Sequence, residues 1–139
     1  MTADQSPKSS KRRLDADIHT NIVVLRGNLG EVRERETILS GVVSETLLRT
    51  VSVVADQRIR DDVPLVWTGD ATVFGSIETG REVVVSGRVR QRFFRTGGAT
   101  VSRTEVVVEA LVPVAQRAAS RRLTERAAMR ASALPMLLS

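Results

Sequence analysis

Between Arg81 and Leu111 two valine-rich runs flank Thr96-Gly97-Gly98, and this pattern narrows the choice of fold more than any other in the chain. Val83-Val84-Val85-Ser86-Gly87-Arg88-Val89-Arg90-Gln91-Arg92-Phe93-Phe94-Arg95 alternates over most of its length, as a strand with two unlike faces does. On such a strand Arg88, Arg90, Arg92 and Phe94 share one face, and Val83, Val85, Gly87 and Val89 share the other, which reads as core. The glycine pair supplies a tight turn, and Val101 to Leu111 returns as the partner strand with Val106, Val107 and Val108 at least partly buried. A row of cations ending in a flat ring suits single-stranded nucleic acid, because guanidinium groups follow phosphates and a ring stacks on a base. The same row also fits an ordinary solvated strand face.

The rest of the chain supplies the other elements of a small β-domain. Ile22 to Arg26 is a short apolar run closed by Gly27, and Glu31 to Ile38 alternates in part as a charged surface strand. Glu45 to Ala55 reads as a central strand, Asp56 to Pro64 as a polar loop, and Leu65 to Thr68 as a short strand ending at Trp67. Gly69 to Thr79 predicts a loop or a few helical turns. About five strands with a late hairpin predict a small antiparallel barrel. Residues 1–20 read as a disordered polar arm, residues 21–114 as the barrel domain, and residues 115–139 as a basic helical tail that Pro135 ends, leaving an apolar tip. The tail's role stays open between binding nucleic acid, packing on the barrel and exchanging between subunits.

Composition removes several function classes. The chain of 139 residues has no cysteine and one histidine, His19, so disulfides, thiolate metal sites and multi-histidine metal sites are excluded, and no cofactor is expected. His19 lies in a polar segment and reads as solvent-exposed. Asp61-Asp62 has no metal-ligand pattern around it, and Gly97-Gly98 is not followed by a phosphate-loop lysine, so catalysis is not expected. No apolar run reaches the roughly 20 residues of a membrane span, and no signal sequence is visible, so the expectation is a cytoplasmic protein.

Charge is unevenly placed. Residues 81–105 carry six arginines (81, 88, 90, 92, 95, 103) against Glu82 and Glu105, a net +4. Residues 115–139 carry five arginines (117, 121, 122, 126, 130) against Glu125, again +4. Residues 21–80 carry six arginines against nine acids, a net −3. The two basic stretches can act as a footprint for a polyanion.

Asn21-Ile22-Val23-Val24-Leu25-Arg26-Gly27-Asn28-Leu29, Val66-Trp67-Thr68, the long run from Val83 to Gly98, and Ser102-Arg103-Thr104-Glu105-Val106-Val107-Val108-Glu109 together resemble bacterial single-stranded DNA-binding proteins, in particular short divergent actinobacterial paralogues. The resemblance covers roughly Asn21 to Leu111. It implies an OB-fold, an all-β five-stranded barrel, assembled as a homo-oligomer (a tetramer, or a dimer). It also implies sequence-independent binding of single-stranded DNA in replication, recombination or repair. By position, Phe94 falls where the family stacks a tryptophan on a base, and Trp67 falls near a second stacking aromatic. Phe74 matches a third aromatic or packs in the core, and Phe93 reads as core or interface. The DNA-binding set expected on this basis is Trp67, Arg88, Arg90, Arg92, Phe94, Arg95 and Arg103.

Three departures qualify the resemblance. The segment between Trp67 and Gly80 is shorter than the family's helix-bearing insert. Only four aromatics are present. The family's acidic C-terminal tip is missing, so recruitment of repair partners through such a tip is not expected. The sparse aromatics and the acidic balance of residues 21–80 leave an alternative, an OB-fold assembly or primosome-type accessory module with weak or lost DNA binding. RNA binding through the same surface is a third reading.

Overall fold

The computed structural model describes residues 18–138, and the side chains up to Ser132. Most of the expected N-terminal arm, residues 1–17, lies outside the described residues. The elements run β1 (Val23–Leu29), β2 (Arg33–Thr37), β3 (Gly41–Val54), β4 (Gln57–Thr68), β5 (Glu82–Thr96), β6 (Ala99–Pro113) and a helix α1 (Arg117–Leu138). In the sheet the strand order is β1-β5-β6-β4-β3-β2, and β1 also pairs with β3. That second pairing closes β1, β5, β6, β4 and β3 into a five-stranded barrel, with β2 added on the outer edge of β3. This is the OB-fold architecture expected from the sequence. The seams are antiparallel except β4–β6, which is parallel with Leu65 beside Val106 and Val66 beside Val107.

Alternation along the strands fills the barrel. Leu29, Leu48, Leu65, Trp67, Val83, Val85, Val106, Val108 and Leu111 form the buried core. These are mostly branched aliphatics, which suit a pleated, half-buried surface. Val83 and Val85 face the core as their phase requires. Val89, in the same phase, is 42% exposed, because β5 and β6 run on past the barrel as a two-stranded arm. Glu109 is the extra residue of a bulge opposite Ser86 and Gly87, and it lets Leu111 and Val108 both point inward across the irregularity.

Two local expectations are corrected and a third is narrowed. Asp56 to Pro64 is not a loop. The chain turns in two residues, Ala55 and Asp56, both at positive φ (50° and 64°), and β4 then pairs with β3 without a break from Gln57 to Thr68. A two-residue turn of this hand matches strand twist, so the polar sequence became a hairpin arm rather than a loop. Of the two forms expected for Gly69 to Thr79 the structure shows the loop, with turns and no helix. At the other end α1 continues across Pro135 to Leu138. A proline forfeits only its own amide bond and crowds one carbonyl, and the alanine-rich run before it carries the helix past that point.

The helix packs on the barrel, touching β5, β6 and β1. Leu123 and Ala127, one turn apart, are buried at 6% and 3% exposure, and beneath them Val84 and Ser86 on the outer side of β5 are buried as well. Arg130 Nη1 lies 2.7 Å from Glu109 Oε2, so the bulge residue also ties down the helix.

Closure needs glycine at Gly27. A Cβ there would collide with the carbonyl oxygen of Arg49 on β3. Gly27→Ala is therefore expected to lower stability by about 3 kcal/mol, read from urea unfolding, whereas Gly41→Ala meets open space and should cost only about 1 kcal/mol for its positive φ. Conversely, changing Ala55-Asp56 to Asn-Gly should stabilise the arm by about 1 kcal/mol. A lowered unfolding midpoint for that variant would contradict the turn geometry.

Candidate nucleic-acid interface

Cross-strand partners share a face, so the register fixes what lies on the outside of the barrel. On β5, Arg88, Arg90, Arg92 and Phe94 stand opposite Val107, Glu105, Arg103 and Val101 of β6. Next comes β4, with Val66, Pro64, Asp62, Arg60 and Arg58 facing outward against Glu45, Leu47, Arg49, Val51 and Val53 of β3. Arg33 and Arg35 of β2 pair with Glu45 and Val43 and continue the same face. The outer side of β2-β3-β4-β6-β5 is thus one surface rich in arginine; α1 covers the early part of β5 on this side, at Val84 and Ser86, and Arg88 next along the strand is exposed.

The acids on the strands of that surface, Glu45, Asp62 and Glu105, are each held by arginine, whereas Glu31 at the edge of the face has no ion-pair partner among the described residues. Arg35 lies 3.5 Å from Glu45, and Asp62 receives Arg49 at 3.7 Å and Arg60 at 3.8 Å. Glu105, only 3% exposed, accepts hydrogen bonds from Arg90 Nη2 at 2.5 Å and Arg92 Nε at 3.3 Å. Among the described residues Arg33, Arg58, Arg88 and Arg103 have no ion-pair partner. Arg103, Arg33 and the Arg49–Asp62 pair line an open groove of 530 Å³ that reaches Asn28 and Gly80. A second groove, of 580 Å³, lies between Arg90 and Arg92 on one side and the β2–β3 turn on the other, with Val43, Val66 and Val107 in its lining.

The expected site residues divide. Arg88, Arg90, Arg92, Phe94 and Arg103 come together on this face. Phe94 is half-buried, with the Arg92 guanidinium 5.1 Å from its ring centre. Arg95 points to the opposite face of the β5–β6 arm, together with Phe93. Phe93 is 66% exposed, so it is not a core residue. Trp67 is corrected outright. It is 4% exposed, its Nε1 donates to the carbonyl of Asp70 at 3.0 Å, and its ring meets the Phe74 edge with centroids 5.5 Å apart. A ring so enclosed offers no face to a base; the alternation that sends Val66 outward sends Trp67 inward.

Sequence reasoning missed Arg33, Arg35, Arg49, Arg58 and Arg60. Their signal was present: in Arg33-Glu34-Arg35-Glu36 a strand puts the arginines on one face and the glutamates on the other. The acidic total of residues 21–80 concealed this partition. Glu34, on the far side, instead accepts the amide of Ala71 at 2.8 Å.

Two further carboxylates are tuned by their neighbours. The Arg26 guanidinium, 2.9 Å away, holds Glu82 below the usual carboxylate range and is itself raised. Asp70 is lowered because the hydroxyl and amide of Thr72 donate to its Oδ1 at 2.6 and 2.8 Å.

No family model matches the chain, and no curated protein does. Among solved structures the fold is similar to a Plasmodium falciparum SSB in complex with ssDNA. The TM-score is 0.59 at 20% identity, covering 70% of this chain and 96% of that one. No helix among the described residues is long and apolar enough to cross a membrane.

The Asp70 turn anchors Trp67, which gives a pH test. A carboxylate with a lowered folded pKa contributes stability above the ordinary aspartate value of 3.8, and that contribution is lost as pH falls through the lowered value. The stability difference between the natural chain and Asp70→Asn, from urea midpoints, should be constant near neutral pH and shrink in acid. A difference that persists unchanged at low pH would remove the charge from the explanation.

Proposed function

We propose that this chain binds single-stranded DNA without sequence preference, through the outer face of β2-β3-β4-β6-β5. The observation that carries the reading is the charge arrangement of that face. Glu45, Asp62 and Glu105 are each matched to arginine, so the unpaired Arg33, Arg58, Arg88 and Arg103 outnumber the one unmatched acid at its edge, Glu31, and leave it net cationic. Apolar floors and the half-buried Phe94 lie between the cations. Phosphates meet arginine and bases meet apolar surface, the two halves of single-strand recognition. The resemblance of the quoted motifs to bacterial single-stranded DNA-binding proteins supports the reading, as does the similarity to a solved SSB in complex with ssDNA. On this reading the protein serves replication, recombination or repair in the cytoplasm. It works as a homo-oligomer, since one barrel covers only about 4–16 nucleotides.

The second reading, an assembly module, is favoured by one observation. The β3–β4 arm exposes Val51, Val53, Val54 and Ile59, at 52%, 71%, 60% and 37%, which is unusual outside an interface.

Fluorescence anisotropy of labelled oligo-dT separates the two. Trp67 is not the reporter, because it is buried. Binding should weaken with salt, and Arg88→Ala and Arg103→Ala should each reduce the slope of log K against log salt by about 0.7. Phe94→Ala should cost about 1–3 kcal/mol if the ring stacks on a base. Absence of binding at low salt, with duplex and single-stranded DNA alike, would overturn the DNA reading and leave the assembly module.

A further inference from the structure

Two of the four aromatics of this chain are used up by its own fold, and Phe93, though exposed, lies on the opposite side of the β5–β6 arm from the arginine face. Trp67 and Phe74 pack on one another at the core, and on the outer face Phe94 is the one ring, covered in part by Arg92. Stacking on aromatics can therefore seat few bases here. Beside this shortage stands an excess. Ile38 and Leu39, at the β2–β3 turn, are 102% and 97% exposed, more than any other large apolar side chain among the described residues.

That turn is held in place. Thr37 Oγ1 accepts the amide of Ser40 at 2.9 Å and donates to the carbonyl of Gly41 at 3.3 Å, and Gly41 takes a positive φ of 69° that suits glycine. Ile38 and Leu39 both lie at the edge of the 580 Å³ groove, across from Arg90 and Arg92, with Val43, Val66 and Val107 also in its lining. Arg35 stands on the same side as the turn.

We propose that Ile38 and Leu39 form an aliphatic wedge that seats unpaired DNA bases in this groove, in place of an aromatic platform. The proposal deepens the single-stranded DNA reading and rests on it. The rim selects the occupant: Arg35, Arg90 and Arg92 hold Glu45 and Glu105 and still leave one positive charge in excess, Arg88 on the same strand face is unpaired, and cations around an apolar floor suit a ligand that alternates anions with flat apolar faces. Aliphatic side chains gain dispersion and burial against the face of a base, and Leu and Ile serve as wedges between base steps in other DNA-binding proteins. Because the contact uses base faces rather than base edges, it carries no sequence preference.

The test compares the full chain with the double variant Ile38→Ala/Leu39→Ala on labelled oligo-dT and on an abasic deoxyribose-phosphate strand of equal length. The variant should lose about tenfold in affinity for oligo-dT, with the salt slope unchanged, and should match the natural chain on the abasic strand. A second variant, Leu39→Trp, places a reporter at the site, and its emission should be quenched by oligo-dT and not by the abasic strand. Natural chain and double variant binding oligo-dT equally would overturn the wedge while leaving the DNA-binding reading intact. So would an equal loss on both strands. Oligo-dT binding that is preserved while self-association is lost would identify the pair as a protein contact and also overturn it. Failure of the natural chain to bind oligo-dT at all would instead remove the reading on which the wedge rests.

Discussion

The whole molecule depends on β1 pairing at both of its edges. Val23 to Asn28 pair with β5, and Asn28 and Leu29 also meet Arg49 and Leu48 of β3. One short strand thereby joins the two ends of the sheet, and the backbone of β3 passes so close to Gly27 that only glycine fits. Closure decides everything outside the barrel as well as inside it. Once Leu48, Leu65 and Val85 are committed to the core, the residues next to them along each strand must point outward, and the register leaves no freedom about which side chains become neighbours.

That constraint turns a nearly balanced set of charges into an uneven surface. Arg33 and Arg35 go out while Glu34 and Glu36 go to the other side. The acids that remain outside act as tethers. Glu105 is the strongest case, because its burial makes an unpaired carboxylate costly, and both Arg90 and Arg92 are drawn to it. Two long side chains that would otherwise roam are fixed in place, and one of them lies against Phe94. The face is thereby organised before any ligand arrives.

Much of this was legible from residue order alone. The glycine pair and the alternation from Val83 to Phe94 gave the β5–β6 hairpin, and they correctly put Arg88, Arg90, Arg92 and Phe94 together. What escaped was set by contacts distant in sequence. Trp67 looks like any exposed aromatic until Phe74 and the Asp70 carbonyl enclose it. The parallel seam between Leu65 and Val106 joins residues about forty apart and has no local signal. Asp56 to Pro64 reads as a polar loop because a hairpin arm that projects from the barrel has no buried face to impose an apolar period. Composition misled over residues 21–80 because a net charge says nothing about which side of a strand each charge occupies.

Glu45, Asp62 and Glu105 also act as resident counterions. On the proposed single-stranded DNA reading, an arginine that already holds a carboxylate cannot neutralise a phosphate in full, because the carboxylate would remain beside it once a strand arrived. Fewer mobile ions are then displaced than the arginines on the face would suggest. On that reading the surface would trade electrostatic reach for constancy: an ordered lattice of cations whose hold on a polyanion would weaken less with salt than its count of arginines implies.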